Sequence, residues 1–336
     1  MKEGGKVLTE NLREHPAVRA WSRLSPARAL PEHVVVLKRK AKGAVYRLAG
    51  VGPGRRAVIA KRCSREKAAV ERAIYEQILP RLPLATLDYH GFVEEGDGLF
   101  AWLFLEDVGD ECYSPDVEEH RALAARWLAL FHSAADGAEV KAAFPERGPD
   151  HHRAHLRSIL ETLPQIRALP SVPHDGIEVL ASIASRCECL ESSWSRVEAF
   201  CERIPRALVH GDCLAKNVHL RASQAGRGVA FFDWGGAGWG LVATDLGQLA
   251  LPHRGPPDDD PGCAMYLAVA RRRWPDLDLE TVRQLANLGQ LFWALKVISR
   301  GIPEFDCDWA RPEDVTGNLR IYEAALARSM CSAGSE

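Results

Sequence analysis

The sequence of 336 residues lacks the features that mark a membrane, secreted or polyanion-binding protein. No segment approaches the ~20 apolar residues that a membrane helix needs, and the polar start MKEGGKVLTENLREH has no apolar signal region. The nine cysteines are odd in number and form no C-x-x-C pair, which favours reduced thiols over disulfides or a zinc knuckle. A net charge of −2 argues against a general nucleic-acid binder. We therefore expect a cytoplasmic protein without a nucleic-acid or membrane partner.

The charges that are present divide unevenly along the chain. Residues 1–72 contain 18 Lys/Arg and 6 Asp/Glu, a net charge of +12, so the 25 basic and 39 acidic residues that remain carry −14. This asymmetry is typical of two lobes with different partners. Two differently solvated surfaces would explain it equally well.

Hydrophobic periodicity changes near residue 109. Before it, β-branched runs predict strands over 33–40, 43–50, 56–63, 86–93 and 99–108, and one helix is predicted over 64–79 with Ser64 as its cap. After it, helical patterns cover 118–135, 151–168, 176–202, 242–251, 262–273, 279–300 and 313–331, with one β-rich interruption at 206–234. The pattern predicts an α+β fold: a lobe of a five-stranded antiparallel sheet plus helix over 1–105, and a mainly helical lobe with a hairpin over 106–336.

The β-rich interruption contains a polar loop, LVHGDCLAKNVHL at 208–220. A strand after Asn217 and a second strand predicted to deliver Asp233 would form a hairpin that brings these two residues together. Phosphoryl transfer needs a carboxylate to accept the proton of the attacking hydroxyl, and oxygen ligands for Mg²⁺. Asp212, Asn217 and Asp233 supply these groups.

This arrangement resembles the aminoglycoside phosphotransferase and choline kinase family, the small-molecule relatives of protein kinases. The matching residues are HGD, four residues, Asn217, and then Asp233 on a following strand. The resemblance implies a bilobal protein-kinase-like fold, with Asp212 as catalytic base and Asn217 and Asp233 as Mg²⁺ ligands. It implies that His210 braces the loop, and that Asp245, twelve residues after Asp233, supports it.

The front of the chain also fits the resemblance. Lys61 lies on the predicted third strand, where such kinases place the lysine that holds the α- and β-phosphates of the nucleotide. Glu71 in the following helix is its expected partner, with Glu76 as a rival.

Two further segments are expected to contact the nucleotide. The turn KAKGAVYR (40–47), with Lys42 and Gly43, resembles the phosphate-covering turn between the first two strands. The segment LFLEDVGD (103–110), with Glu106, would be the hinge whose backbone meets the adenine edge.

The resemblance implies phosphorylation of a hydroxyl on a small molecule by ATP, with GTP not excluded. An acidic second lobe suits a cationic acceptor such as an aminoglycoside or an amino alcohol, which would include an antibiotic-resistance role. The alternatives are a kinase for a primary metabolite (choline, a sugar or an amino-acid derivative) and a nucleotide-binding pseudokinase. No Walker A sequence is present, and the sequence leaves the oligomeric state open.

Other side chains have simpler expected roles. His151, His152 and His155 have helical spacing suited to a metal, but without a nearby acid or cysteine a solvated helix start is favoured. Trp102 and Trp127 are expected in the core.

Overall fold

The computed structural model describes residues 5–24, 29–40, 43–135, 137–223, 226–249 and 261–333. The chain forms two compact units. The first unit comprises Met1–Tyr113 and Lys216–Gly236, and the second comprises Ser114–Ala215 and Ala237–Glu336. Residues 216–236 thus group with the N-terminal part, and the boundary after residue 105 stays a prediction.

The first unit is built on a six-stranded antiparallel sheet with the order β1-β2-β3-β4-β6-β5. The strands are β1 (Val7–Leu8), β2 (Val34–Lys40), β3 (Gly43–Leu48), β4 (Val58–Ser64), β5 (Tyr89–Glu94) and β6 (Phe100–Glu106). The five expected strands are present, but the sheet has six strands where five were expected. The extra strand is β1, which pairs with the start of β2 and is too short to show a period in the sequence.

Two helices accompany this sheet: α1 (Pro16–Leu24) and α2 (Arg65–Ala73). The helical path after α2 continues through a wider turn at Ile74–Ile78 and a 3-10 turn at Leu79–Arg81. Ser64 is the N-cap residue of α2, as expected, but its side chain makes no capping hydrogen bond. Trp21 of α1 packs on Phe104 of β6, with 5.2 Å between ring centroids.

A hairpin completes the first unit. Its strands are β9 (Val218–Ser223) and β10 (Gly226–Phe231), and Val218 lies opposite Phe231. The sequence ASQAGRG favours a turn over residues 222–228, but β9 extends to Ser223 and β10 begins at Gly226, so this prediction was wrong. The expectation that the second strand carries Asp233 was also wrong, because β10 ends two residues before it.

The second unit contains a small sheet of β7 (Glu146–Arg147), β8 (Arg206–Val209) and β11 (Gly238–Leu241), in the order β7-β11-β8. Strand β11 is antiparallel to β8 and parallel to β7. Neither β7 nor β11 was predicted, since one has two residues and the other is half glycine.

Helices make up most of the second unit. They are α3 (Glu118–Ala134), α4 (Ala138–Ala143), α5 (Pro149–Arg167), α6 (His174–Ser192), α7 (Trp194–Cys201), α8 (Ala243–Leu249), α9 (Pro261–Ala270), α10 (Leu279–Gly301) and α11 (Pro312–Ala333). The single helix expected over 176–202 is two helices, which separate at Ser193. Its hydroxyl bonds back to the carbonyls of Cys189 and Leu190.

The cysteines, two tryptophans and the apolar character of the helices were also the subject of predictions. All nine cysteines lie in described segments and are free thiols. Trp102 and Trp127 are buried in the core, as expected. Across the described segments, no helix combines the length and the apolar character needed to cross a bilayer.

Candidate active site

Lys61 is the centre of a charged group in the first unit. It lies on β4, the fourth strand of the sheet rather than the third because of the additional β1, and its side chain is 14% exposed. Its Nζ pairs with the carboxylate of Glu71 on α2 and lies 2.6 Å from Asp233 Oδ1. Burial disfavours its charge, but the two carboxylates outweigh burial and raise the pKa of Lys61.

Lys61 pairs with Glu71 and not with Glu76, the other candidate partner. Glu71 is fully buried, and burial raises the pKa of its carboxyl while Lys61 opposes that rise. Glu76 instead accepts from Arg72 at 3.0 Å and from the hydroxyl of Tyr89 at 3.0 Å. The buried acid within reach of Lys61 is therefore Glu71.

The hairpin brings the backbone of Asn217 beside the segment that carries Asp233. The Phe232 N–H donates to the Asn217 carbonyl at 3.1 Å. Asn217 is 3% exposed, whereas the side chain of Asp233 is 41% exposed. Asp233 has a φ of 69°, in the left-handed region that aspartate tolerates better than most residues. Such a conformation often marks a functional position.

The donor set of Asn217 and Asp233 fits Mg²⁺. An amide oxygen and a carboxylate are hard oxygen ligands, and Mg²⁺ usually takes one or two protein ligands together with phosphate and water. Among the described residues no group of three His, Cys, Asp or Glu side chains is arranged to hold a metal. A site with two protein ligands, one of them an amide, would not form such a group.

Gly235 lies two residues after Asp233, beside Glu71 and Lys67. A Cβ atom at this position would lie 3.3 Å from Glu71 Oε1 and 3.3 Å from Lys67 Cβ. A carboxylate here would place a like charge beside buried Glu71. The glycine therefore suits the environment of Glu71.

For the two segments expected to contact nucleotide, the structure shows little that bears on nucleotide binding. Lys42 lies outside the described residues, and Gly43 is the first residue of β3, paired with Lys40. The Glu106 carboxylate accepts from Arg221 at 2.8 Å and from the Asp88 N–H at 3.0 Å. Its side chain therefore ties β6 to the hairpin, and contact of its backbone with adenine stays a prediction.

In the second unit, the loop that carries Asp212 is held by Asp245 of α8. The Asp245 carboxylate is fully buried and accepts the His210 N–H at 2.6 Å and the Gly211 N–H at 2.8 Å. Burial works against ionisation, yet hydrogen bonds from His132 and from the loop backbone lower the pKa of Asp245. The carboxylate thus stays charged while it binds the loop.

His210 and Gly211 shape the loop from within. The buried His210 ring accepts the Asp212 N–H on Nδ1 at 3.2 Å. Gly211 has a φ of 72°, which a residue with a side chain adopts only at a cost. These contacts leave the Asp212 side chain 23% exposed, and the bracing role of His210 stays a prediction.

Sequence reasoning missed three residues around this loop. His132 of α3 lies 3.1 Å from Asp245 Oδ2 and 3.0 Å from the hydroxyl of Tyr266. Gln248 accepts the Cys213 N–H. Lys296 of α10 donates to the Gly211 carbonyl at 2.7 Å. No local motif marks these residues, because each is distant in sequence from the partner it contacts.

Lys296 also approaches the expected base. Its Nζ lies 3.8 Å from Asp212 Oδ1, and its side chain is 14% exposed. Burial, opposed by Asp212, lowers the pKa of Lys296 to about 8. A cation that contacts both the loop backbone and Asp212 can hold the carboxylate in place.

The expectation of solvated histidines at the start of α5 was wrong. His152 is 3% exposed and stacks on Phe292 of α10 with 3.8 Å between ring centroids. His155 Nδ1 lies 3.0 Å from the Ser299 hydroxyl. Helix α10 covers this face of α5, which the periodicity of α5 alone does not reveal.

One family model matches most of the chain. The model of a phosphotransferase enzyme family, APH, matches residues 35–285. No curated protein matches the sequence.

Solved structures share the fold at low sequence identity. The GDP and kanamycin complex of APH(2")-IIia is 15% identical, covers 91% of this chain and 97% of its own, and has a TM-score of 0.60. The APH(9)-Ia spectinomycin phosphotransferase, in complex with ADP and spectinomycin, is 10% identical over 88% of this chain and 93% of its own, with a TM-score of 0.57. An ethanolamine kinase from Plasmodium vivax is 14% identical over 88% of this chain and 81% of its own, with a TM-score of 0.54.

The structural likeness supports the expected kinase-like α+β fold, and the family match extends over most of the chain. The chain belongs to the APH phosphotransferase enzyme family.

Proposed function

We propose that the protein is an ATP- and Mg²⁺-dependent phosphotransferase that phosphorylates a hydroxyl group of a small molecule, with Asp212 as catalytic base. The observation that carries the proposal is the contact of Lys61 with both Glu71 and Asp233. In kinases of this type the strand lysine pairs with a helix glutamate, and the aspartate after the catalytic loop holds Mg²⁺.

Each residue has a separate role in this reaction. Asp212 accepts the proton of the acceptor hydroxyl as the hydroxyl oxygen attacks the γ-phosphorus of ATP, and the bond from the γ-phosphorus to the β-phosphate oxygen breaks to release ADP. Lys61, oriented by Glu71, binds the α- and β-phosphate oxygens. Asn217 and Asp233 would hold Mg²⁺, which when bound neutralises charge on the phosphate oxygens. Asp245 and His210 are positioning residues, since they act on Asp212 through the loop backbone.

The nucleotide is proposed to be ATP, and GTP remains an alternative. Solved relatives were captured with GDP or ADP, which supports a nucleoside diphosphate product. The retained Lys61, Asp212, Asn217 and Asp233 argue against the pseudokinase alternative, because loss of at least one such group is its expected mark.

The acceptor class rests on broader grounds. Two structural neighbours bind kanamycin or spectinomycin and a third is an ethanolamine kinase, and all three compounds are small alcohols with amines. In this chain, residues 73–336 have a net charge of −14. These facts support a cationic acceptor and an antibiotic-resistance role. A primary metabolite kinase is the alternative, and resistance of a sensitive host that expresses the protein would separate the two.

The test is transfer of labelled γ-phosphate from ATP to a library of small alcohols, detected by mass shift. We expect Asp212→Ala to lower kcat by about 10²–10⁴-fold, since it removes the general base. Nucleotide binding, measured by thermal stabilisation with ADP and Mg²⁺, should persist. Chelation of Mg²⁺ should abolish turnover.

A matched control is Asp175→Ala, which removes an exposed aspartate of the same unit that pairs with Arg320. It should leave kcat unchanged. Full turnover by Asp212→Ala would contradict the assignment.

A further inference from the structure

Two helices of the second unit bring a set of basic side chains together near Asp212. His151 and His155 stand one turn apart on α5, with 5.3 Å between ring centroids. Lys296 and Arg300 stand one turn apart on α10, and Ser299 between them bonds to His155 at 3.0 Å. The hydrogen bond joins the two pairs into one cluster.

Arg147 of β7 adds a third basic side chain with a positive charge. It acts electrostatically on His151, His155 and Lys296. We call Arg147, His151, His155, Lys296 and Arg300 the basic cluster.

The histidines of the basic cluster are neutral at physiological pH. Burial, with further contributions from Arg147, Lys296 and Arg300, lowers the pKa of His151 and His155 to about 4. Each neutral ring therefore has one N–H donor without positive charge, and in His155 this donor is on Nε2 when Nδ1 accepts from the Ser299 hydroxyl. The charge of the cluster comes from its two arginines and Lys296.

Negative charge near Lys296 is limited. The carboxylates that act on it are Asp212 and Asp245, and the Asp245 oxygens also accept from the loop backbone and lie beside His132. Arg300 is exposed and forms no ion pair with any residue that the structure describes. Arg300 therefore adds a positive charge beside Lys296 that no carboxylate of the described residues pairs with.

One polar atom of the basic cluster lacks a partner. His155 Nε2 is buried and has no hydrogen-bond partner among the described residues. A buried polar atom without a partner usually contacts a water or a ligand atom in the native protein.

We propose that the basic cluster binds an anionic group, a carboxylate or a phosphate, on the phosphate acceptor, beside Asp212. The inference rests on the proposed function for the identity of the ligand. It assigns the acceptor to hydroxylated anions, in contrast to the cationic acceptor that the overall charge of this region suggests.

The local charge decides between these classes. A protonated amine placed here would be repelled by three cations, whereas a carboxylate would gain charge-assisted hydrogen bonds from arginine and from a neutral histidine. Repulsion and unpaired charge at close range discriminate between ligands more strongly than the distant charge of a surface.

The first experiment measures anion binding without nucleotide, as thermal stabilisation of the intact protein by inorganic phosphate. Arg300→Gln should weaken phosphate binding by about tenfold, the loss expected for one hydrogen bond to a charged group, and Arg300→Lys should restore part of it. The control, Arg272→Gln, removes an exposed arginine elsewhere in the unit and should match the wild type. Phosphate bound at Lys61 would contribute equally to both variants.

The second experiment compares two sets of acceptors with ATP and Mg²⁺. Glycerate and glycerol 3-phosphate should be phosphorylated, and ethanolamine and kanamycin should not. For the accepted compounds Arg300→Gln should raise KM by about tenfold with little change in kcat.

The results separate the two hypotheses. Equal stabilisation of Arg300→Gln and wild type by phosphate would overturn the inference, and so would transfer to the amine-bearing alcohols alone with an unchanged KM in Arg300→Gln. Transfer to no acceptor would count against the proposed function instead, and the phosphate titration would still decide whether the basic cluster binds anions.

Discussion

Two lysines, one in each unit, are buried to the same degree and have opposite electrostatic surroundings. The side chains of Lys61 and Lys296 are each 14% exposed. Lys61 contacts two carboxylates, and its pKa is raised. Lys296 has one carboxylate at 3.8 Å and two arginines nearby, and its pKa is lowered to about 8.

The difference shows that partners, and not burial, decide the charge of these lysines. Burial lowers the pKa of both lysines, so the neighbouring charges must account for the opposite directions of the two shifts. Lys61 is suited to remain a permanent cation for phosphate oxygens. Lys296 is held in a protonated state that a further anion would stabilise.

The most stringent test of this contrast is to substitute each lysine separately by methionine. Lys61→Met leaves Glu71 buried and Asp233 without its cation, so we expect a loss of about 3–5 kcal/mol in the free energy of unfolding. Urea denaturation of the full chain measures it. The control is Arg65→Met in the exposed pair with Glu94, which should cost at most about 1 kcal/mol. A similar small cost for Lys61→Met would mean that Glu71 is neutral in the folded protein.

The residues of the first unit could be found from sequence, because they follow local patterns. Lys61 lies on a strand, Glu71 on the next helix, and Asn217 and Asp233 at either end of one hairpin. The residues around Asp212 could be found only in part. Lys296 is 85 residues from Gly211, and His132 is 113 residues from Asp245, so their contacts depend on how the helices pack.

The elements of the fold also divide into those that the sequence pattern predicts and those that it misses. Strands with clear alternation, such as β4, were predicted to within two residues. The strands β1 and β7 were missed because two residues show no period. His151 and His155 were expected in solvent because one amphipathic helix does not reveal that α10 lies against that face.

A second comparison concerns two fully buried carboxylates. Glu71 pairs with one lysine and its pKa is raised, whereas Asp245 accepts two backbone N–H groups and its pKa is lowered. Asp245→Asn should therefore cost about 2–3 kcal/mol of unfolding free energy, because an amide N–H₂ would face a backbone donor. Glu71→Gln, the matched control, should cost less, since burial already disfavours its charge.

The pH dependence of this difference follows from the sign of the shift. A carboxyl whose pKa is lowered in the folded state stabilises the protein above its ordinary value of 3.8, and the stabilisation is lost as the pH falls below it. The gap between wild type and Asp245→Asn should persist from pH 8 to pH 5 and close in acid. A gap that stays constant down to pH 3 would mean that the pKa of Asp245 is not lowered in the folded state.

The smallest expected effect has the opposite sign. Lys296→Met should stabilise the protein by about 1–2 kcal/mol at pH 7, since a lysine whose pKa falls from 10.5 to about 8 costs about 3 kcal/mol when protonated, offset by its hydrogen bond to the Gly211 carbonyl. Between pH 8 and 10.5 Lys296 binds its proton in the unfolded chain and not in the folded chain. The free energy of unfolding of the wild type therefore rises relative to that of the variant by at most about 1.4 kcal/mol per pH unit. Buried cysteines such as Cys63, whose pKa is raised to about 12, act in the other direction in both proteins and cancel in the difference. Destabilisation by Lys296→Met at pH 7 would show that Asp212 compensates Lys296 as fully as Glu71 and Asp233 compensate Lys61, and the contrast between the two units would then fail.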